Sequence, residues 1–176
     1  VKTKFKELYK DIAKRVAELS YAKRLKVGAI VVKDDRIISM GYNGMPAGWD
    51  NNCEDKVYDK GSGGWLSPEE FFEEYPYEED VELIDIDEGV HKVKARYKLK
   101  TKPEVLHAES NALAKLAKSN DSGDGADLFV THSPCLQCAK LIFQSGISRV
   151  FYSENYRDDA GIKFLKQSGV EVIKHD

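Results

Sequence analysis

The sequence predicts an α/β fold in three layers, a mixed five-stranded sheet with an N-terminal antiparallel hairpin and helices on both faces. Three observations predict it. An apolar helical stripe opens the chain, two short β-rich runs follow on either side of a polar turn, and from Val105 onward helical and strand-like segments alternate. Alternation of that kind implies parallel crossovers, so antiparallel and parallel pairing meet in one sheet.

The elements follow in order. Phe5, Leu8, Tyr9, Ile12, Val16 and Leu19 recur at helical spacing, so residues 3–19 form an amphipathic helix with its stripe on the sheet. VGAIVV (27–32) and IISMGY (37–42), parted by Lys33-Asp34-Asp35-Arg36, read as a tight hairpin. NGMPAGWDNN is a loop by its Gly, Pro and Asn content. Residues 53–102 are charge-dense and fit no simple alternation, and they are read as an insertion in a single domain spanning 1–176. Within them Ser67, Pro68 and Glu70 resemble a capped helix start running through Phe71 and Phe72. VELIDID and VHKVKARYKLK, joined by Glu88-Gly89, resemble a second hairpin. Its basic residues Lys92, Lys94, Arg96, Lys98, Lys100 and Lys102 alternate strictly and face an acidic strand carrying Asp85 and Asp87, an ion-pair ladder worth little per pair. After Val105 come the helix HAESNALAKLAK, a Ser/Gly/Asp loop, the strand DLFVTHS, the helix PCLQCAKLIFQS ending at Gly146, the strand RVFYS, a helix near 159–167 and the strand VEVI.

The 27 basic and 30 acidic residues give a net charge of -3, without the positive field that binders of long nucleic acids require. A small substrate is expected, with no nucleic acid and no membrane as partner. No run approaches the roughly 20 apolar residues of a membrane span, and VKTKFKELYK lacks a signal-peptide core, so a soluble, cytoplasmic protein is expected, in the host cytoplasm if the source is viral. Three cysteines, two of them spaced as Cys135 and Cys138, suit metal binding in a reducing compartment better than a disulfide framework.

Cys135 and Cys138 are expected in the first turn of a helix opened by Pro134, both thiolates directed from its N-terminus, where dipole and metal favour the thiolate. His107 and Glu109 are two apart, which places them on different faces of a regular helix. His107 is therefore set at the helix entrance, where one side chain binds the metal and the other bends over it. Three protein ligands leave the fourth position of a tetrahedral zinc to water, as in a catalytic site. The other candidates, Cys53, His91, His132 and His175, form no comparable pair. H-x-E followed by P-C-x-x-C is the known signature of zinc deaminases, and the chain reads His107-Ala108-Glu109, then Pro134-Cys135-Leu136-Gln137-Cys138. Zinc lowers the pKa of water toward roughly 7. Glu109 then takes a proton from that water, delivers it to the ring nitrogen beside the attacked carbon, and helps the amine leave as ammonia. The competing reading is a structural zinc knuckle with Glu109 merely exposed.

With GYNGMPAG at 41–48, HAESNA at 107–112 and SPCLQC at 133–138, the chain resembles the deoxycytidylate (dCMP) deaminases, bacteriophage forms especially, over most of its length. The metal motif alone fits the whole cytidine deaminase superfamily, and the GYNG segment narrows the choice. The resemblance implies a cytidine deaminase-like fold and hydrolysis of dCMP to dUMP for thymidylate synthesis. It also implies one catalytic zinc per subunit, a homo-hexamer, activation by dCTP and inhibition by dTTP, with Mg2+ accompanying a triphosphate effector. By the same likeness Asn43 contacts the deoxyribose hydroxyl, the Ala108 backbone and Ser133 line the base pocket, and Tyr156 reaches the substrate phosphate. Other readings stand beside these: hairpin geometry for 41–44, an ordinary aromatic for Tyr156 and a helix cap for Ser133. Arg24 and Lys26, before the first strand, and Gly41, Tyr42 and Gly44 are candidates for phosphate or effector contact; for the two cations the alternative is solvated surface charge. The insertion offers a second, structural zinc only Cys53 and His91, so no second zinc is expected, and the alternative to an ion-pair ladder for its basic strand from Lys92 to Lys102 is contact with a neighbouring subunit or an effector triphosphate. Rival functions are a tRNA-adenosine or single-strand cytosine deaminase, a deaminase of a free base, nucleoside or pteridine-like intermediate, and a non-catalytic zinc-stabilised nucleotide-binding module.

Overall fold

The computed structural model describes residues 3–59, 73–85 and 89–175. The chain divides into two compact units, one built from Val1–Cys53 and Pro103–Asp176, the other from Glu54–Lys102.

The first unit holds α1 (Thr3–Ala17), β1 (Gly28–Lys33), β2 (Arg36–Tyr42), α2 (Ala108–Leu116), β6 (Asp127–His132), α3 (Leu136–Gln144), β7 (Arg149–Glu154), α4 (Ala160–Gln167) and β8 (Glu171–Lys174). Its five strands run in the order β2-β1-β6-β7-β8. β1 pairs antiparallel with both β2 and β6, while β6, β7 and β8 are parallel. The expected mixed sheet is therefore present. Alternation along β1 explains the layers: Ile30 and Val32 pack with Phe129, Phe151 and the α1 residues Tyr9, Ala13 and Val16, whereas Ala29 and Val31 pack on the opposite face with residues of α2, α3 and α4. The α1 stripe is narrower than the sequence suggests. Leu8 and Leu19 are 47% and 56% exposed, because Leu8 falls off the sheet-facing side and Leu19 lies past the helix end.

The β1–β2 hairpin closes on Asp34 and Asp35, both at positive φ (50° and 59°), the backbone of a two-residue type I′ turn whose twist matches that of the strands. Helix α2 then lies very close to β2. A Cβ on Gly41 would stand 2.3 Å from the Ala108 carbonyl oxygen and 2.4 Å from the Ala112 nitrogen, so only glycine admits this approach. Ser39 Oγ donates to the Ala112 carbonyl (2.6 Å) and Asn111 Nδ2 to the Tyr42 carbonyl (2.8 Å), fixing the helix along the strand.

The second unit is a three-stranded antiparallel sheet of β3 (Glu54–Tyr58), β4 (Tyr77–Asp85) and β5 (Gly89–Thr101), ordered β3-β5-β4. The sequence suggests the β4–β5 hairpin but not β3, whose Glu-Asp-Lys opening shows neither apolar alternation nor β-rich composition. Opposite the basic residues stand Glu82 (to Lys92), Asp80 (to Lys94) and Glu78 (to Arg96), rather than Asp85 and Asp87, because Asp85 pairs with Gly89 and Asp87 lies outside the described residues. Arg96 Nε meets Glu78 Oε1 at 3.0 Å and Lys98 meets Glu74 at 2.8 Å. Tyr58, Tyr77 and Tyr97 gather their rings on the other face, Tyr97 lying 5.4 Å from Tyr77 and 5.7 Å from Tyr58. The helix expected from Ser67 to Phe72 falls outside the described residues. Among the described residues no helix is long and apolar enough to cross a membrane.

Candidate metal centre

The sheet of the first unit brings the candidate residues to one edge. Strands β6 and β7 end there, β1 begins there because it runs against β6, and β2 ends there in turn. The carboxyl edge of parallel strands is where α/β sheets form ligand crevices. Backbone and side-chain bonds knit the segments emerging from it. Gly28 N–H donates to Thr131 Oγ1 (3.2 Å), Ser133 N–H to the Glu154 carbonyl (2.8 Å) and Tyr156 N–H to Ser133 Oγ (2.7 Å). Gly44 and Leu106 exchange two backbone bonds of 3.1 and 2.9 Å, so the segment leading into His107 is tied to the end of the hairpin.

His107 is the N-cap of α2, with extended backbone (φ −75°, ψ 154°) and no side-chain capping bond, which leaves its imidazole available. Cys135 is likewise the N-cap of α3 (φ −69°, ψ 166°), and Cys138 is that helix's third residue. This corrects the expectation that Pro134 opens the helix with both cysteines in its first turn: the extended backbone at Cys135 delays the helix to Leu136. Gly161, at the start of α4, makes room for this arrangement, since a Cβ there would stand 2.0 Å from the Pro134 carbonyl oxygen.

Two helix starts remote in sequence thus deliver His107, and Cys135 with Cys138, to one point, their ligand atoms all within 4.8 Å of one another. Zn–S bonds of about 2.3 Å and Zn–N bonds of about 2.0 Å in a tetrahedron separate nitrogen from sulfur by roughly 3.5 Å. The His107 Nδ1 distances to Cys135 Sγ and Cys138 Sγ are 3.5 and 3.4 Å, so the nitrogen–sulfur spacings match those of a tetrahedral zinc. The electrostatics suit a cation. Hydrogen bonds, first from Cys138 and then from His107, hold the Cys135 thiol down to about 3, while the Cys138 thiol, donating to Cys135 in a buried position, is pushed up. The His107 imidazole is raised chiefly by its hydrogen bond to Cys135, with Glu109 adding and Arg157 opposing. Glu109, on the first turn of α2, is buried, and desolvation raises its carboxyl above the ordinary range against the pull of its own N–H and of His107. A buried carboxyl with raised pKa beside a metal-ligand cluster can hold and pass on a proton.

The remaining candidates reach this edge in different ways. Asn43 spends its side chain on the chain itself: Oδ1 accepts from Val27 N–H (2.7 Å) and Nδ2 donates to the Leu25 carbonyl (2.8 Å). Ala108 is fully buried as the first residue of α2, among the N–H groups that have no acceptor within a helix. Ser133 is buried and does not cap α3; its hydroxyl serves Tyr156 instead. Gly41 admits α2, Tyr42 anchors Asn111 and lies under the Lys115 ammonium, and Gly44 holds Leu106, so 41–44 is no hairpin turn and ties α2 and the segment before it to the hairpin. Arg24 and Lys26 are exposed on the segment that Asn43 pins. Cys53 is buried with Ala22, Val105 and Met45 and is no part of the cluster. Sequence reasoning passed over Asn111 and Arg157. Asn111 follows His107 by one helical turn, a usable signal, while Arg157 stands in a polar loop with none.

The sequence profile described as the cytidine and deoxycytidylate deaminase zinc-binding region matches residues 3–154. The chain is 38% identical over 171 residues to a deoxycytidylate deaminase of Enterobacteria phage T4, covering 93% of this chain and 86% of that one. It is 35% identical over 146 residues to the deoxycytidylate deaminase of Mycobacterium phage D29, covering 83% and 91%. Among solved structures, dCMP deaminase from the cyanophage S-TIM5, in complex with dCMP and dUMP, superposes with a TM-score of 0.72 at 38% identity over 99% of each chain.

Proposed function

The chain belongs to the cytidine and deoxycytidylate deaminase family, and from that premise we propose that it hydrolyses dCMP to dUMP and ammonia. The observation that carries the reading is the convergence of His107, Cys135 and Cys138 beside the buried carboxyl of Glu109. In it His107, Cys135 and Cys138 hold one zinc per subunit. The zinc, when bound, supplies Lewis acidity that brings the pKa of water toward about 7.

The protein's own groups do the rest. Glu109 Oε accepts a proton from the attacking water as oxygen adds to C4 of cytosine, and passes it to N3. It then takes the second proton of that oxygen to the exocyclic nitrogen, the C4–N4 bond breaks, and ammonia leaves with Glu109 restored. Burial of Glu109 serves both transfers, because a carboxyl of raised pKa gives up its proton less readily to solvent than to a base held against it. Ser133 and the first N–H groups of α2 are proposed to line the base pocket, with Asn43 at the sugar and Tyr156 toward the phosphate. Since the amide of Asn43 already holds Leu25 and Val27, a contact with the sugar would use the second lone pair of Oδ1 or the second N–H of Nδ2.

We further propose a single deaminase domain over 1–176 with the second unit as its insertion, cytoplasmic placement, a homo-hexamer, activation by dCTP with Mg2+ and inhibition by dTTP. Free thiols at Cys53, Cys135 and Cys138 support the placement in a reducing compartment, and family resemblance supports the hexamer and the effectors, with Arg24, Lys26, Gly41, Tyr42 and Gly44 as effector or phosphate candidates. The test is ammonia release from dCMP, deoxycytidine, dCTP and single-stranded DNA, each with and without dCTP or dTTP as effector. Turnover confined to dCMP, raised by dCTP and lowered by dTTP, is expected. Turnover of DNA or of the nucleoside at a comparable rate would assign the site to a different substrate, and sedimentation of the active form decides the hexamer.

A further inference from the structure

We propose that Arg157 recognises the 5′-phosphate of the substrate and sets the preference for a nucleotide over a nucleoside; the inference rests on the deaminase reading of the same site. Arg157 lies in the loop between β7 and α4, and both ends of that loop are fastened to the turn that carries Cys135. At its start the Glu154 carbonyl accepts Ser133 N–H and Tyr156 N–H reaches Ser133 Oγ. At its end Gly161 is seated against the Pro134 carbonyl. The loop therefore has a fixed place at the rim of the cluster, and its middle is presented to solvent.

The charge on that loop is left available. Asp158 Oδ1 accepts the Ala160 N–H (3.0 Å) and Asp159 pairs with Lys163 (2.9 Å), so the flanking carboxylates turn toward the start of α4. The Arg157 guanidinium lies 5.5 Å from the centre of the Tyr156 ring. A cation–ring contact of that kind restricts the side chain while leaving N–H groups for the planar, two-pronged recognition that phosphate takes from arginine. A nucleotide monophosphate brings about two negative charges to a protein of net charge -3, so a cation at the rim favours its recognition. Arg24 and Lys26 emerge at the same sheet edge and are the competitors.

The experiment compares kcat/KM for dCMP with that for deoxycytidine in the parental protein, in Arg157→Ala, in Arg157→Lys and in the double variant Arg24→Ala/Lys26→Ala, with zinc content measured on each. In Arg157→Ala the dCMP-to-deoxycytidine ratio should fall by roughly 10- to 100-fold, mostly through KM, the range expected for losing a hydrogen-bonded charge. Arg157→Lys should fall between, since it keeps the charge without the fork, and it decides the matter if Arg157→Ala loses zinc. An unchanged ratio, an equal loss on both substrates, or a loss confined to the Arg24/Lys26 variant overturns the proposal while the deaminase reading stands. A parental protein that releases no ammonia from dCMP overturns that reading itself.

Discussion

Glu109 and His107 stand two residues apart yet meet opposite surroundings, the carboxyl buried and the imidazole open on the helix entrance. Their substitutions should therefore fail differently. Glu109→Gln is expected to keep full zinc by metal analysis and lose turnover by roughly 10²- to 10⁴-fold, since only the proton carrier goes. His107→Ala should come out of purification with substoichiometric zinc, and a fully loaded variant would show that the ligand set is wrong. These residues were legible because metal chemistry demands particular side chains at particular spacings. The work of Asn43 was not, because nothing in a Gly-Tyr-Asn-Gly string tells that the amide will hold the backbone of Leu25 and Val27. Asn43→Ala should lower unfolding free energy by about 1–3 kcal/mol in denaturant titration, whatever it does to KM.

At the scale of elements, the strand and helix order of the first unit could be read from apolar periodicity, and the close approaches could not. Gly41 sits in a strand by pattern, but the need for glycine comes from α2, a helix more than sixty residues later. Gly41→Ala should cost about 3 kcal/mol through overpacking and lower the thermal midpoint by roughly 6–12 °C, with zinc lost as α2 shifts. The hairpin turn offers a gain. Asp35 holds positive φ that glycine adopts freely, so Asp35→Gly should raise stability by about 0.5–1 kcal/mol, read from the same titrations. The strand β3 escaped notice because its polar residues acquire strand structure only by pairing with β5, a tertiary cause that composition does not carry. The boundary at Cys135 escaped for a similar reason: proline favours a helix start, but the backbone that presents the sulfur is extended.

Across the whole molecule, the metal joins parts that are far apart in sequence, the start of α2 through His107 and the start of α3 through its two sulfurs, while backbone bonds between Gly44 and Leu106 tie in the hairpin. Removing zinc with a chelator should abolish turnover and lower the midpoint by roughly 10 °C, as expected for a ligand present at about a thousand times its dissociation constant; zinc added back should restore both. The second unit has its own logic. Its first and last strands are neighbours, with Glu54 opposite Thr101 on the ladder, so the chain departs from the first unit and rejoins it at nearly one point. Such an excursion is a cassette with a narrow doorway. Evolution can lengthen, trim or replace what lies beyond the doorway without rethreading the sheet that carries the chemistry, which leaves this stretch free to diverge while the sequence on either side of it is held in place.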